Sequence, residues 1–295
     1  MGKDCISPAR HSSFATPIEF VHFLDELRRL SGGKPVGFKI CVGHPWEFLA
    51  ICKAMLETGI CPDFIVVDGK EGGTGAGPFE FLDHLGMPLR EGLTFVHNAL
   101  VGVGLRDRIK IGASGKIASA FDIARAMALG ADWCNAARGF MFALGCIQSQ
   151  SCHTDRCPTG VATQDPTLQR ALVVPNKIGR VASFHASTMR ALIELTAAAG
   201  LDHPNEFRPH HFSRRVSASE VMTFAELYPP LAPANCWKAR AIRCSARPGE
   251  RRTRGIFVRW PLEVSIACPA DMSPRNNFNA YGRPDHGIDH GGTTD

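Results

Sequence analysis

A chain of 295 residues and 32.0 kDa, 44% of it hydrophobic, has enough apolar material for a sizeable core, which excludes a disordered or fibrous protein. The net charge of +5 invites a nucleic-acid reading, but residues 235–295 hold ten Lys and Arg against six Asp and Glu, so the basic excess belongs to that stretch and the body has no footprint for nucleic acid. No apolar run approaches the roughly 20 residues of a membrane span, and the N-terminus lacks a signal-peptide layout, so a cytoplasmic protein with its eleven cysteines mostly reduced is expected.

Between Thr16 and about Ala198 helical and strand-like patterns alternate, the mark of a parallel sheet covered by helices. Pro17 to Leu30 reads as a helix, with Pro17 in its first turn, Phe20, Phe23, Leu24 and Leu27 on one face, and Ser31-Gly-Gly as its stop. Val36 to Ile40 is a short strand. Pro45 opens a second helix through Phe48, Ile51, Cys52 and Met55 to a Gly59 cap, and Phe64-Ile-Val-Val67 is the next strand. A glycine-rich segment, Asp68 to Pro78, leaves the carboxyl end of that strand, where parallel α/β proteins bind ligands. There follow a helical stretch from about Leu93 to Gly104, a strand at Ile109 to Ile111, a loop from Gly112 to Lys116, a helix from Ser119 to Leu129, and a strand at Trp133 to Asn135. A doubly wound sheet and a barrel both fit this rhythm. Residues 235–295 show no sustained period and read as an irregular tail, disordered or non-homologous, beyond a folded unit of residues 1–234.

Three positions in this framework carry chemistry. The loop ending at Ser114, Gly115 and Lys116 lies between a strand and a helix, so its N–H groups suit a phosphate, with Lys116 or Ser119 adding a charge or a hydroxyl. Arg138 and Gly139 follow the next strand, and two such turns after successive strands match the phosphate site of eight-stranded barrels; a plain surface arginine is the other reading. Lys39 stands inside an apolar strand, where a lysine is costly unless it ends in a cleft with a partner; a lysine reaching out from the strand end is the alternative.

Cys146, Cys152 and Cys157 are spaced Cys-x5-Cys-x4-Cys with Pro158 directly after the last. An odd, tight trio of soft thiolates suits an iron–sulfur cluster; zinc with His153 as a further ligand and incidental free cysteines are the alternatives.

Taken together, Pro35 to Ile40, Asp68 to Pro78, Gly112 to Lys116 and above all Gly145-Cys through Cys157-Pro-Thr-Gly-Val-Ala-Thr-Gln164 resemble the FMN-binding synthase domain of glutamate synthase, from about Asp4 to Pro233. The resemblance implies a (β/α)8 TIM barrel, here only its C-terminal half, with FMN at the carboxyl ends of the strands and a [3Fe-4S] cluster beside it. By position, Cys146, Cys152 and Cys157 match the cluster ligands, and Lys39 matches a lysine beside flavin and substrate. Gly72, Gly73 and Thr74 match the active-site glycine loop, while Ser114, Gly115 and Lys116 with Arg138 and Gly139 fall where the family holds the FMN phosphate. Glu71 is a candidate proton donor, and Ser7-Pro8-Ala9-Arg10-His11 resembles the loop after the fourth strand.

The implied activity is reductive amination of 2-oxoglutarate to L-glutamate. Electrons from a donor protein pass through the cluster and FMN, and ammonia comes from solution or a glutaminase domain. Met1 falls where the family's barrel is about half built, and Ser114 and Lys116 stand where an acidic residue and a glycine are commoner. Open sheet edges favour aggregation or a homo-oligomer. Two rival readings follow: a catalytically silent fragment that binds a cluster or pairs with a complementing chain, and an FMN barrel oxidoreductase acting on another small acid.

Overall fold

A computed structural model describes residues 10–73 and 80–230. Helix α1 (Pro17–Leu30) begins at Thr16, whose hydroxyl accepts from the N–H of Glu19 while the Glu19 carboxylate returns the bond to the Thr16 N–H, a reciprocal cap that fixes the first turn. Strand β1 (Gly37–Ile40), helix α2 (Pro45–Thr58), strand β2 (Phe64–Asp68), helix α3 (Leu89–Gly102), strand β3 (Lys110–Ser114), helix α4 (Ala120–Ala128) and strand β4 (Trp133–Asn135) follow in alternation. Beyond them come α5 (Arg138–Leu144), α6 (Pro166–Gln169), α7 (Val174–Ala198), the hairpin β5 (Ser213–Arg215) and β6 (Val221–Thr223), and α8 (Phe224–Leu227).

The four central strands are all parallel and lie in chain order, β1-β2-β3-β4. A doubly wound sheet reverses its strand order near the middle; a barrel wall does not, so the sequential order is that of part of a barrel. Side chains sort accordingly. Phe38, Ile40, Ile65, Val67, Ile111, Ala113 and Cys134 pack into the core under the helices, where Val21, Phe48, Met55, Leu93, Val96 and Leu100 are almost wholly buried. The alternate residues make the opposite face in register: Gly37, Phe64 and Lys110; then Lys39, Val66, Gly112 and Trp133; then Asp68, Ser114 and Asn135 at the carboxyl ends.

Three expectations are corrected. Lys39 does not lie among the helices: those of the described residues pack on the other face of β1, and the Lys39 side chain is 53% exposed. Gly112, Ala113 and Ser114 belong to β3 rather than to a loop, because Gly112 leaves room for Trp133 while the backbones of all three pair with β2 and β4. Helix α3 starts at Leu89, four residues before the expected Leu93, because Pro88 is tolerated at its N-terminus and Glu71 supplies a cap. The long helix α7 had no counterpart among the expected elements. Thr74, the segment Ser7-Pro8-Ala9 and the irregular tail lie outside the described residues. Among the described residues no helix is long and apolar enough to cross a membrane.

The amino ends of the strands are pinned by two matching ion pairs. Asp63, just before β2, accepts from Arg28 and from the N–H of Val36 at 2.7 Å. Asp132, just before β4, accepts from Arg106 at 2.8 Å and from the N–H of Ile111 at 2.7 Å. Arg106 also donates to His97 Nδ1 at 3.1 Å, and burial, reinforced by the Arg106 charge against a smaller opposing effect of Asp132, brings the imidazole down to about 4. In the unfolded chain His97 takes a proton near the ordinary histidine value of 6.5, so between those limits the unfolded state binds more protons and stability falls as the pH drops. The loss is expected to reach on the order of 2 kcal/mol by pH 4, discounted for partial exposure. Urea unfolding should show a flatter profile in this window for His97→Gln, which keeps an acceptor for Arg106; an unchanged profile would remove His97 from the account.

Candidate functional site

The carboxyl ends of the strands gather the expected loops. The Asp68 carboxylate meets Lys39 Nζ at 2.7 Å through Oδ2, while Oδ1 is buried and has no partner. The chain then turns back over the sheet, with Gly69 N–H donating to Ser114 O, Gly72 N–H to Gly69 O and Lys70 N–H to Met87 O, each at 2.8 Å. Gly72 lies so close to Asp68 that a Cβ would stand 2.2 Å from Oδ1, and 3.0 Å from the Cα of Gly115 on its other side. Only glycine fits between the two. Gly73, with φ +76, follows and leads to the undescribed Thr74.

Glu71 turns away from this face. Its carboxylate accepts from the Leu89 N–H, at 3.0 and 3.1 Å, and so caps α3, whose Pro88 offers no side-chain bond. Its placement anchors the glycine loop to a helix N-terminus.

On the β3 side, Ser114 ends the strand, Gly115 and Lys116 both have positive φ, and Lys116 Nζ reaches Asp83 Oδ1 at 2.6 Å. The hydrogen bond from Lys116, with smaller contributions from its charge, Arg138 and His84, outweighs burial and holds the Asp83 carboxyl below its usual range. Lys116 thus pairs directly with this acid, while the charge of Arg138 is felt there only at longer range. Gly139 lies against the same turn, its Cβ position 3.4 Å from Ala118 O. Ser119, by contrast, is committed to α4: its hydroxyl accepts from the Asp122 N–H, while Asp122 accepts from the Ser119 and Ala118 N–H groups, so that helix end is already capped.

Of the two described cavities, one borders this surface at Glu71, Gly115 and Lys116. It measures about 210 Å³, lies between the starts of α3 and α4 beside Arg90 and Arg125, and is smaller than the few hundred Å³ of an ordinary cofactor site. The other, about 660 Å³, is an apolar groove between α5 and α7.

The cysteine loop is ordered by its own bonds. Asp155 Oδ1 accepts from the Gln164 N–H at 2.7 Å, and Gln169 Nε2 donates to Thr163 O at 2.7 Å. Cys157 is buried. Burial raises its thiol, but the Thr159 hydroxyl and the N–H groups of Ala162, Thr159 and Val161 lower it further, to about 7. Donors converging on one sulfur suit a thiolate ligand. Cys146 and Cys152 are half-buried, and among the described residues no three His, Cys, Asp or Glu side chains are drawn together as a metal site.

Sequence reasoning missed Asp68 and Asp83. A cation at a strand end calls for a carboxylate on the adjoining strand, and the register Phe64, Val66, Asp68 supplies it. That alternation is hidden in the apolar run, and Asp68 reads there as the first residue of a loop. Asp83 carries no sequence signal, since only the return of the chain brings it to Lys116.

Residues 1–202 match a family model described as the conserved region in glutamate synthase. The glutamate synthase large subunit-like protein YerD of Bacillus subtilis (strain 168) is 44% identical over 226 residues, which cover 77% of this chain and 43% of that protein. The archaeal glutamate synthase (NADPH) of Methanocaldococcus jannaschii is 35% identical over 208 residues, covering 70% of this chain and 40% of it. Ferredoxin-dependent glutamate synthase 2 of Synechocystis sp. is 31% identical over 204 residues, covering 68% and 13%. The chain thus spans less than half the length of these relatives.

Proposed function

The chain belongs to the glutamate synthase family of oxidoreductases, and from that premise we propose that its strand ends bind FMN and 2-oxoglutarate and take part in forming L-glutamate. The observation that supports this most is Lys39, held at the carboxyl ends of the parallel strands beside the glycine loop, where ligands of such sheets bind. The residues fit the cofactor: Gly72 and Gly115 present bare backbone at the strand ends, and the Lys116 ammonium, paired there with Asp83, is a cation that a phosphate dianion would take over, with the Arg138 charge adding to the field.

Bound FMN supplies the hydride that reduction of an imine requires. The chain's own groups bind and orient. Lys39 offers a fixed positive charge to a substrate carboxylate or to negative charge developing nearby, and in a site closed to water such a charge is worth far more than at the surface. Gly72 and Gly73 bring backbone close to the ligand. Lys116 and Arg138 hold the phosphate, and Glu71 keeps the loop seated on α3. Ammonia and 2-oxoglutarate condense with loss of water to 2-iminoglutarate, and addition of a hydride to its C2 with a proton to its nitrogen gives L-glutamate. An electron-donor protein and an ammonia-supplying domain or subunit complete the reading. Cys146, Cys152 and Cys157 are the ligands we assign to a [3Fe-4S] cluster.

The test is anaerobic purification followed by titration with FMN, then measurement of L-glutamate from 2-oxoglutarate, ammonium and a chemical reductant. Near-stoichiometric FMN binding is expected, with formation of glutamate lowered about 100-fold in Lys39→Met. A wild-type chain that retains no FMN would refute the reading. Retention of FMN with turnover of another small oxo acid, ammonia omitted, would move it to a different substrate.

A further inference from the structure

Asp68 is among the most buried ionisable residues described, its side chain 10% exposed, yet its stability role is weak. Oδ1 accepts no hydrogen bond, and a buried carboxylate oxygen without a donor is unfavourable. Oδ2 pairs with a half-exposed lysine, and such pairs return little to the fold. A neutral residue of the same shape would serve the core as well or better. Asp68 also stands in the last row of the sheet beside Ser114, with Gly72 pressed against Oδ1 and leaving no space for a side chain.

We infer that Asp68 is the positioning residue for Lys39, holding the ammonium at the ends of β1 and β2 where an anionic group of the ligand meets it. Lysine has a flexible four-carbon stem, and without a fixed partner a half-exposed one spreads over many rotamers. The buried carboxylate cannot move away, because Gly72 closes it in; it therefore sets where Nζ stands. Gly72 belongs to the same device, since a side chain there displaces Oδ1 and frees the lysine. The identity of the anionic ligand rests on the FMN reading, while the coupling of Asp68 to Lys39 does not.

The experiment compares wild type with Asp68→Asn, Lys39→Met and the double variant. It measures melting temperature, FMN affinity by fluorescence, and the rate at which acetic anhydride acylates Lys39, read by peptide mass spectrometry. Asp68→Asn is expected to melt no lower than wild type, to bind FMN about tenfold more weakly, and to acylate at Lys39 about threefold faster, since an amine no longer held against the carboxylate is freer to reach the reagent. In the Lys39→Met background the same change should leave FMN affinity unaltered, because Asp68 acts through the lysine. A lower melting temperature with unchanged affinity, equal losses in both backgrounds, or an unchanged acylation rate would each overturn the inference. Should wild type bind no FMN, the cofactor reading fails, and the acylation rate together with the melting temperature decides the role of Asp68.

Discussion

Gly112→Val is expected to destabilise the fold by about 3 kcal/mol, although valine is among the best strand formers and glycine among the worst. Propensity and packing point in opposite directions here, and packing is the larger. Gly112 is buried in the middle of β3, flanked by Val66 on β2 and Trp133 on β4. A Cβ at this position would stand 2.6 Å from two ring carbons of Trp133. The indole cannot simply swing aside: its edge meets Phe64 with centroids 5.8 Å apart, and Nε1 donates to Asn135 Oδ1 at 3.2 Å. A branched side chain must displace the ring or part the strands. Urea unfolding of Gly112→Val, Trp133→Leu and the double variant checks this; the double should recover roughly 1–2 kcal/mol relative to additivity, as contacting residues do. Strictly additive losses would show that the ring is not the obstacle.

The same site explains what could be read without a structure. Helix α1 matched its expected ends, because Thr16, Pro17 and Ser31-Gly-Gly are local signals that act within a few residues. Strand β3 was cut short at Ile111 because Gly112, Ala113 and Ser114 look like a loop by composition. They form a strand because both neighbouring strands pair with them and Trp133 takes the space left by the missing side chain of Gly112. That information is non-local. Lys39 stood out as a charge in an apolar strand, yet its partner was assigned to a loop, since four apolar residues before Asp68 mask the alternation. Lys116 and Arg138 are legible as basic residues after successive strands; Asp83, which pairs with Lys116, is not. Glu71 looked like an acid in an active-site loop, and its bond to Leu89 depends on a helix start four residues earlier than periodicity suggests.

Cys157→Ser is expected to remove iron from the protein altogether, from about three atoms per chain in anaerobically reconstituted wild type, with loss of the visible absorption of a cluster. The argument starts from the sulfur. A ligand must be a thiolate, and Cys157 sits at about 7 because hydrogen-bond donors from Thr159, Ala162 and Val161 outweigh its burial. A serine hydroxyl in the same place keeps the donors but not the soft, ionised sulfur that binds iron. Two other cysteines make the contrast. Cys52 and Cys134 are pushed up to about 12, chiefly by burial, so Cys52→Ser and Cys134→Ser should keep their iron. Thr159→Val separates ligation from tuning. It removes one hydrogen bond to the sulfur while leaving the sulfur in place, so iron should remain near three and the reduction potential should fall, since a sulfur with fewer donors holds more negative charge. The fold bears on this too: Gly160 packs under Leu168 O, leaving a Cβ there only 2.4 Å, so the turn after Cys157 is held by the chain itself, whereas Cys146 and Cys152 would have to be drawn toward Cys157 for the three to share a cluster. Iron content unaffected by Cys157→Ser, or a wild-type chain that takes up no iron from ferrous salt and sulfide, would refute the ligand assignment and leave the loop as a structural turn.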